Sequence, residues 1–289
     1  MRLVALAAMW GASYLFMRYA VPYFGSIPMI FGRVLIAGLA LSAWLVASGG
    51  SFQWRQHWRA YLFVGLVGLD APFLLIAQAL KTIDASTAAI LNALNPLWAA
   101  LIAALWIREP LTVSKLGGIA LSVFGTVVLV GWRPVPMSGI ELLSAGMSIL
   151  ATLLYGWTIV FTKVHLKGAS PMSIASATFL VASAALMPIV PAQAPDFAAI
   201  PALAWLAVLG LALVSTTVAF IFYYRLIADV GPVKASTVTL LVPIFGMIWG
   251  VVFLGEPLTA GRLAGCAIIL SGCALILGLF PVKVRRPAG

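Results

Sequence analysis

Residues 96–125 read PLWAALIAALWIREPLTVSKLGGIALSVFG, and residues 243–272 read PIFGMIWGVVFLGEPLTAGRLAGCAIILSG. Both stretches hold the tetrapeptide EPLT between two apolar runs, with glycines at matching places after it. One offset of 147 residues aligns Pro96 with Pro243, and Glu109 with Glu256. Because the agreement holds at a single unbroken offset, it indicates that the chain contains a duplicated half.

The composition is that of a protein whose side chains mostly face lipid. Of the 289 residues, 63% are hydrophobic and 8% are charged, against roughly 25% charged in soluble domains. A soluble fold of this length would leave much apolar surface in water, which is unfavourable. The net charge of +10 comes from Lys and Arg residues scattered between apolar runs, whereas nucleic-acid grooves have clustered basic residues. The sequence therefore predicts that the chain contacts a lipid bilayer and no nucleic acid.

The apolar segments are long enough to cross a bilayer core, which takes about 20 residues in a helix. The predicted helices, numbered 1 to 10 in chain order, cover 3–20, 27–48, 60–80, 85–107, 113–131, 138–161, 171–190, 202–226, 232–254 and 261–280. Proline and glycine residues punctuate the breaks, as in residues 191–201. The predicted fold is an all-α integral membrane protein with ten transmembrane helices.

The Lys and Arg residues between the predicted helices indicate how the chain is oriented. With a cytoplasmic amino terminus, one side carries Arg2, Arg55, Arg59, Arg108, Lys115, Lys163, Lys167, Arg225, Lys234, Lys283, Arg285 and Arg286, and the other carries Arg18, Lys81, Arg133 and Arg262. Cytoplasmic loops are rich in Lys and Arg, so both termini are expected in the cytoplasm. Because each half has an odd number of helices, residues 1–135 and residues 136–289 are expected to form two inverted five-helix repeats.

Inverted repeats are typical of secondary transporters that work by alternating access. Trp10-Gly11 in helix 1, Phe31-Gly32-Arg33 in helix 2, and the glutamate followed by glycines after helices 4 and 9 resemble the EamA group of drug/metabolite transporters. This resemblance implies a cavity between helices 1–4 and 6–9, with helices 5 and 10 at the periphery. Within the group, the chain looks most like bacterial aromatic amino-acid exporters, which implies a location in the bacterial inner membrane.

Polar and aromatic side chains at helical spacing are the candidate lining of that cavity. Asn92 and Asn95 lie one turn apart in helix 4, and buried amides in lipid need hydrogen-bond partners. They indicate either a water-filled cavity or hydrogen bonds between helices. Aromatic residues with polar tips suit a cavity for a flat amphipathic solute, although such residues also pack helix bundles. The candidate cavity residues are Trp10, Tyr14, Gln78, Asn92, Asn95, Trp98, Tyr155, Thr216, Tyr223 and Thr239.

Asp70 is an acidic residue well inside an apolar run, on a predicted stripe of helix 3 that continues through Gln78 to Lys81. An intramembrane carboxylate is by default a candidate for function. Asp70 could bind a proton during transport or attract the ammonium group of a substrate. The alternative is a structural ion pair with Arg33 or Arg225. Arg33 could instead bind a substrate carboxylate, or extend to water.

Two further pairs of repeat mates have a structural and a functional interpretation. Pro96 and Pro243 interrupt helices and could act as paired hinges or as static bends. Glu109 and Glu256 are expected to interact with helix dipoles or nearby bases. Small residues four apart near the start of helices 5 and 10 could form a dimer seam or pack within the monomer. A monomer or a weak homodimer is expected.

Several kinds of chemistry lack the residues that they need. The two histidines, His57 and His165, lie in predicted loops, and the sequence has no metal-ligand cluster, phosphate-binding glycine loop or serine–histidine–acid set. We therefore expect no metal, no cofactor and no enzymatic activity. The hypothesis is a secondary transporter that exports small metabolites, aromatic or other neutral amino acids foremost. The alternatives are export of a threonine-like amino acid, a purine or a drug, and a lipid-modifying membrane enzyme.

Overall fold

A computed structural model describes residues 2–132, 136–230 and 238–279, and these residues fold into helices, turns and loops without strands. We number the helices α1 to α10 to match the predicted ones. They are α1 (Arg2–Phe24), α2 (Ser26–Ala47), α3 (Trp54–Ala79), α4 (Ala85–Trp106), α5 (Val113–Gly131), α6 (Gly139–His165), α7 (Pro171–Leu186), α8 (Ala202–Leu209, Gly210–Val218 and Ala219–Val230), α9 (Val238–Leu254) and α10 (Ala260–Ile276).

The prediction of ten membrane helices is confirmed in these residues. Seven helices are long and apolar enough to cross a membrane, and α7, α9 and α10 are shorter apolar helices. The predicted start of α3 at residue 60 was wrong, because the helix begins at Trp54 with a mixed polar and aromatic turn. Such a turn suits the membrane interface better than the bilayer core. The predicted repeat boundary after residue 135, and the predicted ends at residues 232 and 280, lie outside the described residues.

The main helix pairings recur when each helix is exchanged with the one five places away. The contact between α1 and α9 corresponds to the contact between α6 and α4. The contact between α3 and α6 corresponds to the contact between α8 and α1. The pairs α2–α7, α4–α9 and α5–α10 map onto themselves under the same exchange. The packing therefore follows an approximate two-fold relation between the first five helices and the last five.

Two glycines show this relation at the level of single atoms. A Cβ added at Gly11 in α1 would lie 2.7 Å from the Cβ of Phe245 in α9. A Cβ added at Gly156 in α6 would lie 2.7 Å from the Cβ of Trp98 in α4. Glycine thus allows the close approach of two backbones at matching places in both repeats.

The glycines of α5 and α10 pack these two helices against each other within one chain. An added Cβ at Gly118 would lie 2.5 Å from the carbonyl oxygen of Gly272, and one at Gly265 would lie 2.7 Å from the Cβ of Leu129. The Ser114 hydroxyl also donates a hydrogen bond to the Leu275 carbonyl at 3.1 Å. Of the two interpretations of the small-residue spacing, the structure shows packing within the monomer.

Helices α3 and α8 each contain a π-helical segment, and the two segments overlap at the repeat offset. In α3 the segment covers Leu66–Asp70 and precedes Pro72, which has no N–H to donate. In α8 it covers Gly210–Val218, where the hydroxyls of Thr216 and Thr217 donate to carbonyls five residues earlier, at 2.8 and 2.9 Å. Segments of this kind are rare in proteins, and those that occur often lie at functional sites.

The prolines at equivalent places in α4 and α9 have different effects. Helix α4 is interrupted at Ala93 and Leu94, and Pro96 lies in the first turn of its second part. Cys273 of α10 donates its thiol proton to the Ala93 carbonyl, with sulfur and oxygen 2.9 Å apart. Pro243 instead lies inside the continuous helix α9. The two repeats are therefore unequal at this point, and the hinge role of the two prolines stays a prediction.

Candidate functional site

Arg33 lies buried in the middle of the bundle with only 5% of its surface exposed. Its Nε donates a hydrogen bond to the Thr216 hydroxyl at 3.1 Å, and Nη1 lies 3.7 Å from the Met17 sulfur. The guanidinium carbon is 3.7 Å from the ring centre of Phe73, a cation–π distance. The side chain is therefore held by α1, α3 and α8 at once.

A chain of aromatic rings extends from Phe73 in both directions. Its neighbours are Tyr155 at 6.3 Å and Phe179 at 6.4 Å, measured between ring centres. The chain continues from Phe179 to Phe220 at 5.4 Å and from Phe220 to Trp10 at 6.2 Å. Trp10 in turn contacts Tyr223 at 5.2 Å. The structure thus brings together the predicted cavity residues Trp10, Tyr155 and Tyr223.

Tyr14 and Thr216, also predicted, lie close to Arg33. Tyr14 is buried in α1, and its phenol and that of Tyr155 lie near the guanidinium. The Thr216 hydroxyl accepts a hydrogen bond from Arg33 and donates one to the Leu211 carbonyl. Thr216 therefore orients Arg33 while it completes the hydrogen bonding of the π segment.

Helix α4 presents buried polar atoms that have no hydrogen-bond partner within residues 2–132, 136–230 and 238–279. Asn92, Asn95 and Trp98 are partly exposed residues. Nevertheless, the side-chain oxygens of both asparagines and the indole nitrogen of Trp98 are buried without a hydrogen bond. Tyr14 lies beside Asn92. Because buried polar atoms are normally hydrogen-bonded, these three residues can supply hydrogen bonds to a solute.

Asp70 is 5% exposed and lies at the end of the π segment of α3. Neither carboxylate oxygen has a hydrogen-bond partner among the described residues. The alternative prediction, a structural ion pair of Asp70 with Arg33 or Arg225, is therefore wrong for this part of the chain. Arg33 faces Phe73, and the Arg225 guanidinium lies 5.8 Å from the Trp44 ring. Asp70 is thus an intramembrane carboxylate that has no counter-ion in the described part of the chain, a kind of residue that marks functional sites.

Gln78, another predicted cavity residue, lies away from the aromatic cluster. Gln78 is exposed in the last turn of α3, where its side-chain oxygen accepts a hydrogen bond from Ser26 at 3.1 Å. The predicted stripe does not extend to Lys81, because α3 ends at Ala79. Thr239 is half-buried in the first described turn of α9.

The phenylalanines of the cluster were not predicted from the sequence. Phe73, Phe179 and Phe220 connect the predicted tyrosines and tryptophans into one chain of rings. A phenylalanine in an apolar helix has no polar tip, so its position in the sequence does not separate a cavity residue from a packing residue. The only sequence signal was that Phe73 follows Asp70 by about one turn.

The two EPLT glutamates have different environments. Glu256 accepts hydrogen bonds from the backbone nitrogens of Ala85 and Ser86, at 2.7 and 2.9 Å, and from the Ser86 hydroxyl. It therefore caps the start of α4, a helix of the other repeat. Glu109 instead pairs with Lys115 at 2.8 Å and Lys163 at 3.3 Å. The hydrogen bond from the Lys115 ammonium lowers the pKa of the Glu109 carboxyl.

An open groove of about 710 Å³ lies away from this cluster, between α3 and α7. Its lining is almost wholly apolar and includes Trp54, Leu62 and Leu180. Exposed apolar residues on a membrane helix face lipid. The groove is therefore a surface for the acyl chains of lipids. The polar and charged groups described above lie on other faces of the helices.

Sequence comparisons relate the chain to known transporters. The pattern of the EamA-like transporter family matches residues 2–131 and residues 142–278. A protein of Streptantibioticus cattleyicolor, named as a probable terminal-alkyne amino-acid exporter, is 24% identical over 95% of this chain and 91% of its own length. The S-adenosylmethionine/S-adenosylhomocysteine transporter of Chlamydia trachomatis is 25% identical over 93% of this chain and 86% of its own length.

A solved crystal structure of a protein also has this fold. It superposes with a TM-score of 0.67 at 21% sequence identity, and the match covers 94% of each chain. Members of the matched family are membrane transporters with an inverted-repeat fold, and the relatives are named for transport rather than for catalysis. The chain is accordingly a multi-pass membrane transporter of small molecules and not an enzyme. Because the family pattern covers nearly all of its length, the chain belongs to the EamA-like transporter family.

Proposed function

We propose that this transporter exports aromatic or other neutral amino acids by alternating access, without ATP. The observation that carries the proposal is the chain of rings from Tyr155 to Trp10 around a buried arginine. Aromatic surfaces with a few polar groups suit a flat amphipathic solute. The resemblance to bacterial aromatic amino-acid exporters, and to YddG in particular, belongs to the same proposal.

The names of the relatives support an amino-acid substrate. A terminal-alkyne amino acid and S-adenosylmethionine have different side chains, but both contain an α-amino group and a carboxylate. A site that recognises these two groups could accept either compound. The aromatic cluster of this chain then favours aromatic side chains among the amino acids.

The proposed mechanism uses the irregular helices of the two repeats. The hairpins α3–α4 and α8–α9 would alternately close the two mouths of a central cavity, in a bacterial inner membrane with both chain termini in the cytoplasm. The π segments of α3 and α8 and the interruption of α4 at Ala93 are places where a helix can bend. Pro96 and Pro243 are the proposed hinge residues, and the repeats divide after residue 135.

Transport of phenylalanine tests this function directly. Purified protein in liposomes should give a flux of labelled phenylalanine that saturates with concentration and exceeds the flux into protein-free liposomes. Unlabelled tyrosine and tryptophan should compete, because the aromatic cluster would bind their rings. Inhibition of the phenylalanine flux by threonine, adenine or a cationic drug would identify which of the alternative solutes the protein also binds. An absence of saturable phenylalanine flux would refute the proposed substrate class.

Asp70→Asn should lower the phenylalanine flux about tenfold or more, since a lost charged hydrogen bond amounts to roughly 1.5–3 kcal/mol. We propose that the buried carboxylate binds the substrate ammonium group or a proton. Asp196→Asn is the control, because Asp196 is exposed and only caps a short loop segment. Initial rates from pH 5 to 8 would be compared in both variants. Full flux with an unchanged pH profile in Asp70→Asn would contradict this role.

A further inference from the structure

Two arginines of the described residues are buried, and their electrostatic environments differ. Arg262 is 3% exposed and forms an ion pair with Asp84, and it also donates to the Pro257 carbonyl at 2.6 Å. Arg33, at 5% exposed, contacts a hydroxyl, a thioether and an aromatic ring, and the phenols of Tyr14 and Tyr155 lie near it. Among the described residues, no carboxylate lies within ion-pair distance of Arg33.

A buried arginine without a counter-ion is unfavourable in a membrane protein. The guanidinium stays protonated at every physiological pH, so it cannot become neutral on burial. Charged side chains within membrane helices are costly, and they mark substrate or ion pathways. The Thr216 hydroxyl and the Phe73 ring compensate only a part of the lost hydration. An anion that binds next to Arg33 would remove this imbalance.

The geometry around Arg33 selects the kind of anion. One face of the guanidinium lies on Phe73, and Nε is occupied by Thr216. These contacts fix the plane of the group. Nη1 also donates one N–H to the Met17 sulfur at 3.7 Å, which leaves its second N–H and the Nη2 atom for a further partner. Two parallel N–H groups, one on each Nη atom, match the two oxygens of a carboxylate. A lysine would provide a point charge without this planar match.

We infer that Arg33 binds the carboxylate of the transported solute, so that the substrates of this protein are carboxylic acids. The inference rests on the proposed amino-acid function and makes it more specific. Tyr155 and Phe179, which flank Phe73, would then contact the solute beyond its carboxylate. The unpartnered side-chain oxygens of Asn92 and Asn95 would accept hydrogen bonds from its ammonium group.

Competition with analogues of phenylalanine tests the inference on the wild-type protein. Inhibition of labelled phenylalanine flux would be measured with phenylalaninamide, which lacks the carboxylate, and with 3-phenylpropionate, which lacks the ammonium group. The amide should inhibit at least about tenfold more weakly than unlabelled phenylalanine, because it cannot form the charged bidentate hydrogen bond. Equal inhibition by the amide and by phenylalanine would overturn the inference while the proposed function stands. Absence of any saturable flux would overturn both.

Two variants connect the carboxylate preference to Arg33 itself. Arg33→Gln should lose the discrimination between phenylalanine and its amide, and Arg33→Lys should keep a part of it. Arg59→Gln is the control, because Arg59 is exposed and also lies near an aromatic ring, 5.2 Å from the centre of Trp58. A purely structural role of Arg33 predicts lower stability with unchanged discrimination, which would overturn the inference. If Arg33→Gln does not fold, inhibition by the phenylalanine analogues, measured on the wild-type protein and on Arg33→Lys, still tests whether Arg33 binds the carboxylate.

Discussion

Gly118→Leu is expected to lower the free energy of unfolding by about 3 kcal/mol or more, at the upper end of the cost of overpacking. Even a single added Cβ would lie 2.5 Å from the Gly272 carbonyl oxygen and 3.0 Å from the Ile276 nitrogen. Both are backbone atoms of α10, so no side-chain rotation can relieve the contact. A leucine would therefore separate α5 from α10, which is the most extensive helix pairing in the chain.

Gly117→Leu is the matched control for this experiment. Gly117 precedes Gly118 in the same helix, but an added Cβ there has no atom within 4 Å. Leucine is also a better helix former than glycine by several tenths of a kcal/mol. Thermal unfolding of both variants in the same detergent, followed by size-exclusion chromatography, should show a lower midpoint for Gly118→Leu only. Similar midpoints would show that the α5–α10 contact contributes little to stability.

Glu256→Ala is expected to lower the free energy of unfolding by about 3–5 kcal/mol, the usual range when one partner of a buried charged contact is removed. The carboxylate is 7% exposed and accepts from two backbone nitrogens and one hydroxyl at the start of α4. Asp84 precedes these residues, but its carboxylate pairs with Arg262 and does not cap the helix. Without Glu256, the amides of Ala85 and Ser86 would be buried without an acceptor.

The repeat provides the control for this prediction, because Glu109→Ala changes the mate of Glu256. The Glu109 side chain is 38% exposed, and both of its partners are lysines. Exposed ion pairs contribute about 0–1 kcal/mol. Glu109→Ala should therefore leave the thermal midpoint nearly unchanged, and Glu256→Gln should lie between the two alanine variants. An equal loss in both alanine variants would contradict the capping role of Glu256.

The number of helices followed from the sequence, because twenty apolar residues between polar breaks are a strong signal. The packing of α5 on α10 was one of two interpretations, since a small-residue spacing shows that backbones approach but not which backbones. The internal irregularities could not be predicted. Pro96 and Pro243 indicated bends, but Pro243 lies in a continuous helix, and the π segment of α8 has no proline.

The candidate site was predictable only in its polar members. Asp70, Tyr14 and Thr216 stood out because polar groups in lipid require an explanation. The packing of Arg33 on Phe73 depends on where α2 and α3 meet in space, and no periodicity within one helix contains that information. The capping of α4 by Glu256 likewise joins residues 170 positions apart along the chain. Sequence reasoning assigned this glutamate to its own helix or to nearby bases.

The π segments also bear on the history of the chain. They lie at corresponding places in α3 and α8, although the residue that corresponds to Pro72 is Ala219 and two threonine hydroxyls support the second segment. The same backbone form thus persists with different side chains. Duplication of a five-helix ancestor that already had this backbone form would explain its presence in both halves with different supporting residues.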